Sequence, residues 1–127
     1  MAVLDPIKVE REAITFESSQ IAGYLQEVLG QKIVAYLAGL KDVKMVSAWV
    51  RGKSQPQPIT LTRLRYAYQS ARVLVDAYGE DTTRTWFFGS NHLLDNEAPA
   101  YVLRHAQTPG DMRLVVPAAR AFVEGMS

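Results

Sequence analysis

Cysteine is absent from this 127-residue chain. Its absence removes disulfides, thiolate nucleophiles and sulfur-ligated zinc or iron–sulfur sites together. Histidine is scarce: His92 and His105 are the whole complement, too few for a multi-histidine metal site. No apolar run approaches the roughly 20 residues that cross a bilayer. The opening segment, with Asp5, Glu10 and Glu12, lacks the basic-then-apolar order of a secretory leader. No Ser, Asp or Glu is spaced to activate either histidine, and there is no glycine-rich phosphate loop. The expectation is a cytoplasmic protein that is not an enzyme and uses neither a metal nor a cofactor. What is present is ordinary for a globular protein: 48% hydrophobic and 21% charged residues, enough apolar content to exclude a disordered chain.

The net charge of +1 hides a strong asymmetry. Residues 1–28 sum to −3, residues 29–66 to +6 and residues 67–127 to −2. The middle carries Lys32, Lys41, Lys44, Arg51, Lys53, Arg63 and Arg65 against Asp42 alone. A basic centre between acidic flanks is the pattern of a chain that holds a polyanion with one part only.

Apolar spacing is helical throughout and nowhere alternates as a strand would, so the fold is expected to be all-α, with about seven helices. Residues 1–18 read as a loose arm. Ser18 or Ser19 is expected to cap a helix carrying Ile21, Leu25 and Val28 up to Gly30. Ile33, Leu37 and Leu40 mark a second helix, Gly39 a turn, and Val43 to Arg51 a third helix. Pro56 and Pro58 make the best linker in the chain. A long helix over 61–78, capped by Thr60 and stopped by Gly79, follows. Asp81 is expected to cap a short helix with Trp86, Phe87 and Phe88; Pro99 opens another; Asp111 caps a last one bearing Met112, Val115, Ala119 and Phe122. Pro117 within that last helix predicts a kink.

Residues 31–53 read as a helix-turn-helix, and residues 19–58 as the DNA-binding module that contains it. Lys44, Ser47, Ala48 and Arg51 recur at helical spacing and form one face, opposite Val43, Val46 and Val50. A helix apolar behind and polar in front is what reading the major groove requires. Lys41, Lys44, Ser47, Arg51 and Lys53 are the candidate DNA contacts, for phosphates or base edges. The same pattern also describes a helical hairpin with a solvated lysine face, or a dimerisation unit.

Three consecutive aromatics on a helix, Trp86, Phe87 and Phe88, point about 100° apart and cannot all enter one small core. At least one is expected to face a neighbouring module or a partner; the alternative puts Trp86 and Phe87 in the core and Phe88 on the long helix. Asn91 is expected to hold the following turn through its amide, and His92 and His105 to lie at the surface.

The run Thr85-Trp86-Phe87-Phe88-Gly89-Ser90-Asn91-His92-Leu93-Leu94, continuing through Pro99 and Leu103 to a final amphipathic helix, resembles the toxin-binding domain of the Xre/MbcA/ParS antitoxin family. With the upstream helix-turn-helix and long helix in the family's order, the resemblance covers residues 29–126 and is strongest to the MbcA branch. It implies an antitoxin of a type II toxin–antitoxin pair. Such a protein occludes the active site of a RES-domain, NAD-degrading toxin and represses its own operon, as a homodimer within the larger complex. Residues 59–127 would then form the toxin-binding and dimerisation domain. Toxin contacts would come from Trp86, Phe88, Asn91, His92, Leu94, Tyr101, Arg113, Arg120, Glu124 and Ser127. Arg113 and Arg120, seven apart, are expected to share a face of the last helix, which would project into the toxin with the tail. Tyr66, Tyr68 and Leu74 make the long helix the candidate dimer surface. Where the family has glycines and a Thr or Ser before the proline, this chain has Asp95-Asn96-Glu97-Ala98, with Asn96 as the expected cap. The alternative is a stand-alone dimeric helix-turn-helix repressor.

Overall fold

The computed structural model describes residues 5–9 and 17–125. Among them the chain is all-α: α1 Ser18–Leu29, α2 Gln31–Ala38, α3 Lys44–Val50, α4 Pro58–Tyr78, α5 Glu80–Phe88, α6 Pro99–His105 and α7 Val115–Val123, with 3₁₀ turns at His92–Leu94 and Pro109–Met112. The one β-type pairing among these residues is an isolated bridge between Asn91 and Glu97.

The helix boundaries follow local chemistry, and several differ from the sequence reading. α1 is capped by Glu17, not by a serine: Glu17 and Gln20 form a reciprocal capping box. Ser18 is the first helical residue and donates its hydroxyl to Gln55 Oε1 at 3.1 Å, tying α1 to the linker. Thr60 does not cap α4. The helix starts three residues earlier than expected, at Pro58, whose fixed φ and missing N–H suit a first helical position. Gly79, at φ 87°, ψ −179°, turns the chain from α4 to α5 in one residue, so α5 begins at Glu80 and Asp81 lies inside its first turn. Both acids there favour the positive helix end.

Asn96 does not cap α6 either. Asp95 and Asn96 both have positive φ, 55° and 67°, which these two residue types tolerate better than most. Asn96 donates its backbone N–H to Asn91 O at 2.9 Å. Asp111 belongs to a capping box with Thr108 on the second 3₁₀ turn rather than to α7. α7 starts at Val115, so Pro117 sits in its first turn, where no intrahelical acceptor awaits its missing N–H. The expected kink therefore has no cause.

α4 is the central element. Leu64, Ala67, Tyr68, Ala71 and Leu74 are buried along it, and α1, α2, α5, α6 and α7 pack around it. Tyr24 of α1 meets Tyr68 edge-on, with ring centroids 5.1 Å apart. The buried apolar cluster runs without a break from α1 to α7, across the boundary expected at 58/59. Of the residues expected at a dimer surface on the long helix, Tyr68 and Leu74 are buried inside the monomer and Tyr66 is half-buried against its core. Most of the expected 1–18 arm lies outside the described residues; within it, Val9 is buried in the core.

Three arginines lock helix ends to distant elements. From α5, Arg84 donates to Val28 O at 2.7 Å and pairs with Asp81 and Glu80. Arg63 of α4 donates to Ala38 O at 3.0 Å and Ala106 O at 2.7 Å. Arg104 of α6 donates to Tyr36 O at 2.7 Å and Leu40 O at 3.2 Å. The carbonyls of Val28, Tyr36 and Ala38 belong to the last turns of α1 and α2, where the helix dipole favours positive charge, and Tyr36 O accepts the Gly39 N–H at 3.1 Å as well.

Candidate functional site

α2 and α3 are joined by residues 39–43. Gly39 leaves α2 in the left-handed conformation at φ 89°, ψ 19°. The positive φ favours glycine, and a Cβ there would stand 3.0 Å from Arg63 Nη1 and press on that side chain. Asp42 Oδ1 accepts the backbone N–H of Lys44 at 2.9 Å and fixes the start of α3. Val46 and Trp49 turn the apolar side of α3 inward.

On the opposite side the candidate DNA contacts divide. Lys41, Lys44, Arg51 and Lys53 are exposed, as is Lys32 on α2. Ser47 is half-buried and accepts from Gln31 Nε2 at 2.9 Å, while the same amide nitrogen bonds Gln26 Oε1 at 3.0 Å. Ser47 is thus drawn into the seam of α1, α2 and α3. Arg63, counted with the basic middle from sequence, is committed to backbone carbonyls of α2 and the α6 terminus. The outward-facing charge is therefore concentrated on five residues between 32 and 53.

The aromatic segment resolves the question that three consecutive rings posed. Phe87 is fully buried and Trp86 is 6% exposed, with the two rings meeting edge-on at 5.0 Å. Phe88 is 48% exposed and leans on Tyr36 of α2, centroids 5.8 Å apart, rather than on the long helix. Of the expected toxin contacts, Trp86, Asn91 and Leu94 are structural: Trp86 and Leu94 belong to the core, and Asn91 Oδ1 accepts Leu93 N–H at 3.0 Å to cap the 3₁₀ turn. Trp86, Asn91 and His92 do border a surface cleft of about 290 Å³ that Phe122 closes from α7.

Phe88, His92, Tyr101, Arg113 and Glu124 are exposed. Tyr101 stacks on His105 at 4.0 Å. Arg120 is half-buried on α7, whereas Arg113 precedes that helix and donates to Gly110 O, so the two do not share a helix face. Ser127 lies outside the described residues. Met112, Val115, Ala118 and Ala119 are fully buried, so the final segment is part of the core rather than a projecting arm.

No family model, curated protein or solved structure matches the chain. No helix among the described residues is long and apolar enough to cross a membrane.

Among the described residues, sequence reasoning missed five exposed large apolar side chains: Ile7, Met45, Tyr78, Leu93 and Leu114. For Leu93 a signal existed. Leu93 and Leu94 are adjacent in a tight turn, so burying Leu94 leaves its neighbour pointing out.

Proposed function

We propose that this chain is a cytoplasmic antitoxin that binds its own operator through residues 31–53 and a RES-domain toxin through residues 80–127, acting by occlusion and not by catalysis. The observation that carries the DNA half is the sorting of positive charge. Lys32, Lys41, Lys44, Arg51 and Lys53 all face solvent on one helix pair, while Arg63, Arg84 and Arg104 are turned into helix ends. A concentrated, outward-facing cationic set on α2, α3 and their flanks suits phosphate contact, with Lys44 and Arg51 two turns apart along α3 for base edges.

The toxin half rests on the resemblance in residues 85–103. The groups available to it are Phe88, Leu93, Tyr101 and Leu114, with His92, Arg113 and Glu124 as polar neighbours. Exposed aromatics beside apolar side chains suit the centre of a protein interface. A homodimer on a two-fold operator completes the proposal.

Co-expression with the adjacent open reading frame, then purification through a tag on this chain, tests the reading. The expected result is a stable complex in which the partner's NAD-degrading activity is suppressed. Recovery of this chain alone, bound to its own promoter and indifferent to the neighbouring product, would establish a stand-alone repressor instead.

A further inference from the structure

The outward side of α3 carries more than charge. Val46 and Trp49 are buried beneath the helix, and Ser47 is drawn into the seam of α1, α2 and α3 by Gln31 Nε2 at 2.9 Å. At about 100° per residue, the strip opposite Val46 and Trp49 consists of Lys44, Ala48 and Arg51, with Met45 along its edge. Met45 is 40% exposed, and Ala48, three residues on and therefore its neighbour on the helix surface, is half-buried. A single exposed apolar side chain needs no explanation. Here two stand together on the strip that also holds the exposed cations Lys44 and Arg51.

The strip therefore offers two kinds of group. Lys44 and Arg51 supply donors only, Met45 and Ala48 supply apolar surface, and no carboxylate or amide side chain stands among them. Asp42, the one acid of the basic middle, has its Oδ1 on the Lys44 N–H at 2.9 Å. The major groove sorts bases by these same properties. Cytosine and adenine display amino donors there, which need an acceptor that the strip lacks. Guanine displays two acceptors. Thymine displays one acceptor beside a C5-methyl group, the one apolar group in the groove. Donors beside apolar carbons are complementary to these keto bases, and the apolar part is complementary to thymine alone.

We propose that Met45 and Ala48 read thymine through its C5-methyl group. The small Ala48 lets α3 approach the base edges, and the unbranched, polarizable Met45 side chain packs on the methyl from one side. Lys44 and Arg51 donate to the acceptors of neighbouring keto bases. The inference rests on the DNA-binding reading above and adds the group that its apolar residues recognise. A protein partner is the other surface that buries methionine. Lys44 and Arg51 on the same strip favour a polyanion over it.

DNA from upstream of this chain's own gene, prepared with deoxyuridine replacing thymidine at random positions, tests the proposal with the full chain. Each replacement removes one methyl group and leaves every hydrogen-bonding group in place. Bound and free DNA are separated on a gel and cleaved at uracil. The expected result is a discrete site with at least one thymine at which uracil weakens binding, by about fourfold for one buried methyl. In duplexes carrying that single replacement, Met45→Ala is expected to shrink the preference for thymine to under about twofold, and Met45→Leu, which keeps an apolar contact, to retain it. The uracil result stands without any variant. A merely structural Met45 weakens binding to the thymine and uracil duplexes by the same factor and leaves the preference intact, which overturns the proposal. A discrete binding site at which uracil has no effect overturns it too and leaves the DNA-binding reading standing, whereas no discrete site in that DNA overturns both. Unchanged DNA binding by Met45→Ala, with loss of the co-purified product of the neighbouring gene, overturns it in favour of a protein contact.

Discussion

Arg104→Ala is the substitution that tests most directly how the two ends of this chain are joined. Arg104 sits on α6, yet its Nη1 reaches Tyr36 O at 2.7 Å and Leu40 O at 3.2 Å, across the C-terminus of α2. Its guanidinium also lies 4.8 Å from the centroid of the Tyr36 ring. A hydrogen bond from a charged donor contributes about 1.5–3 kcal/mol net. The 3.2 Å contact is the weaker of the two, and a partly screened cation–π contact adds about 0.5–1 kcal/mol. Truncation removes all of these and leaves carbonyls at a helix end without their cation. Since these effects are not additive, the expected loss is about 2–4 kcal/mol. Urea denaturation read by far-ultraviolet circular dichroism gives the value directly, and the melting temperature is expected to fall by roughly 3–6 °C per kcal/mol for a chain of this size. Arg113→Ala is the control: Arg113 is exposed with a single 3.3 Å contact to Gly110 O, so its loss is expected to cost under about 0.5 kcal/mol. If Arg104→Ala is no more costly than Arg113→Ala, the arginine clasp does not hold α6 to α2.

Gly39→Ala is expected to cost about 1–3 kcal/mol in the same assay, because it forces a side chain into φ 89° and against Arg63; a neutral result would mean that the turn relaxes freely. Asp111 accepts backbone N–H groups from Gln107 at 2.9 Å and Thr108 at 3.1 Å, and these hold its carboxyl below the ordinary aspartate range. Since the folded value is the lower one, its contribution is fully present above the unfolded value of roughly 3.9 and is lost as pH falls through the folded value. The stability gap between wild type and Asp111→Ala should therefore close on acidification, and a gap of constant size from neutral to strongly acid pH would contradict this. For operator DNA, Lys44→Ala and Arg51→Ala are each expected to weaken binding by roughly 1–3 kcal/mol if they read bases. With five exposed cations in this region, the log–log salt slope has a ceiling of roughly −4.5 per chain. Gel shifts at several salt concentrations showing no slope would remove the DNA role.

The all-α class and the breaks at Gly30, Gly39 and Gly79 were legible in the amino-acid sequence. Each depends on residues close together in the chain: apolar side chains at helical spacing, and glycines at helix ends. Asn91 as the holder of a turn was legible for the same reason, since its acceptor bonds a backbone group two residues on. The caps were less so. Glu17 and Gln57 stand where Ser18 and Thr60 were expected, because the reciprocal bonds of Glu17 with Gln20 and the fixed φ of Pro58 set those helix starts, and Asp111 serves the 3₁₀ turn with Thr108 while Leu114 precedes α7.

Only the tertiary structure decided which charges and rings are free. Nothing local distinguishes Arg63 from Lys53, yet one is spent on carbonyls of Ala38 and Ala106 and the other faces solvent. Ser47 matched the outward face by spacing and was drawn inward by Gln31, sixteen residues away in the chain. Spacing required one of Trp86, Phe87 and Phe88 to be exposed; the placement of α2 chose Phe88, by setting Tyr36 beside it. A sequence fixes what each short segment prefers, and partners distant along the chain determine which polar groups remain to act on anything else.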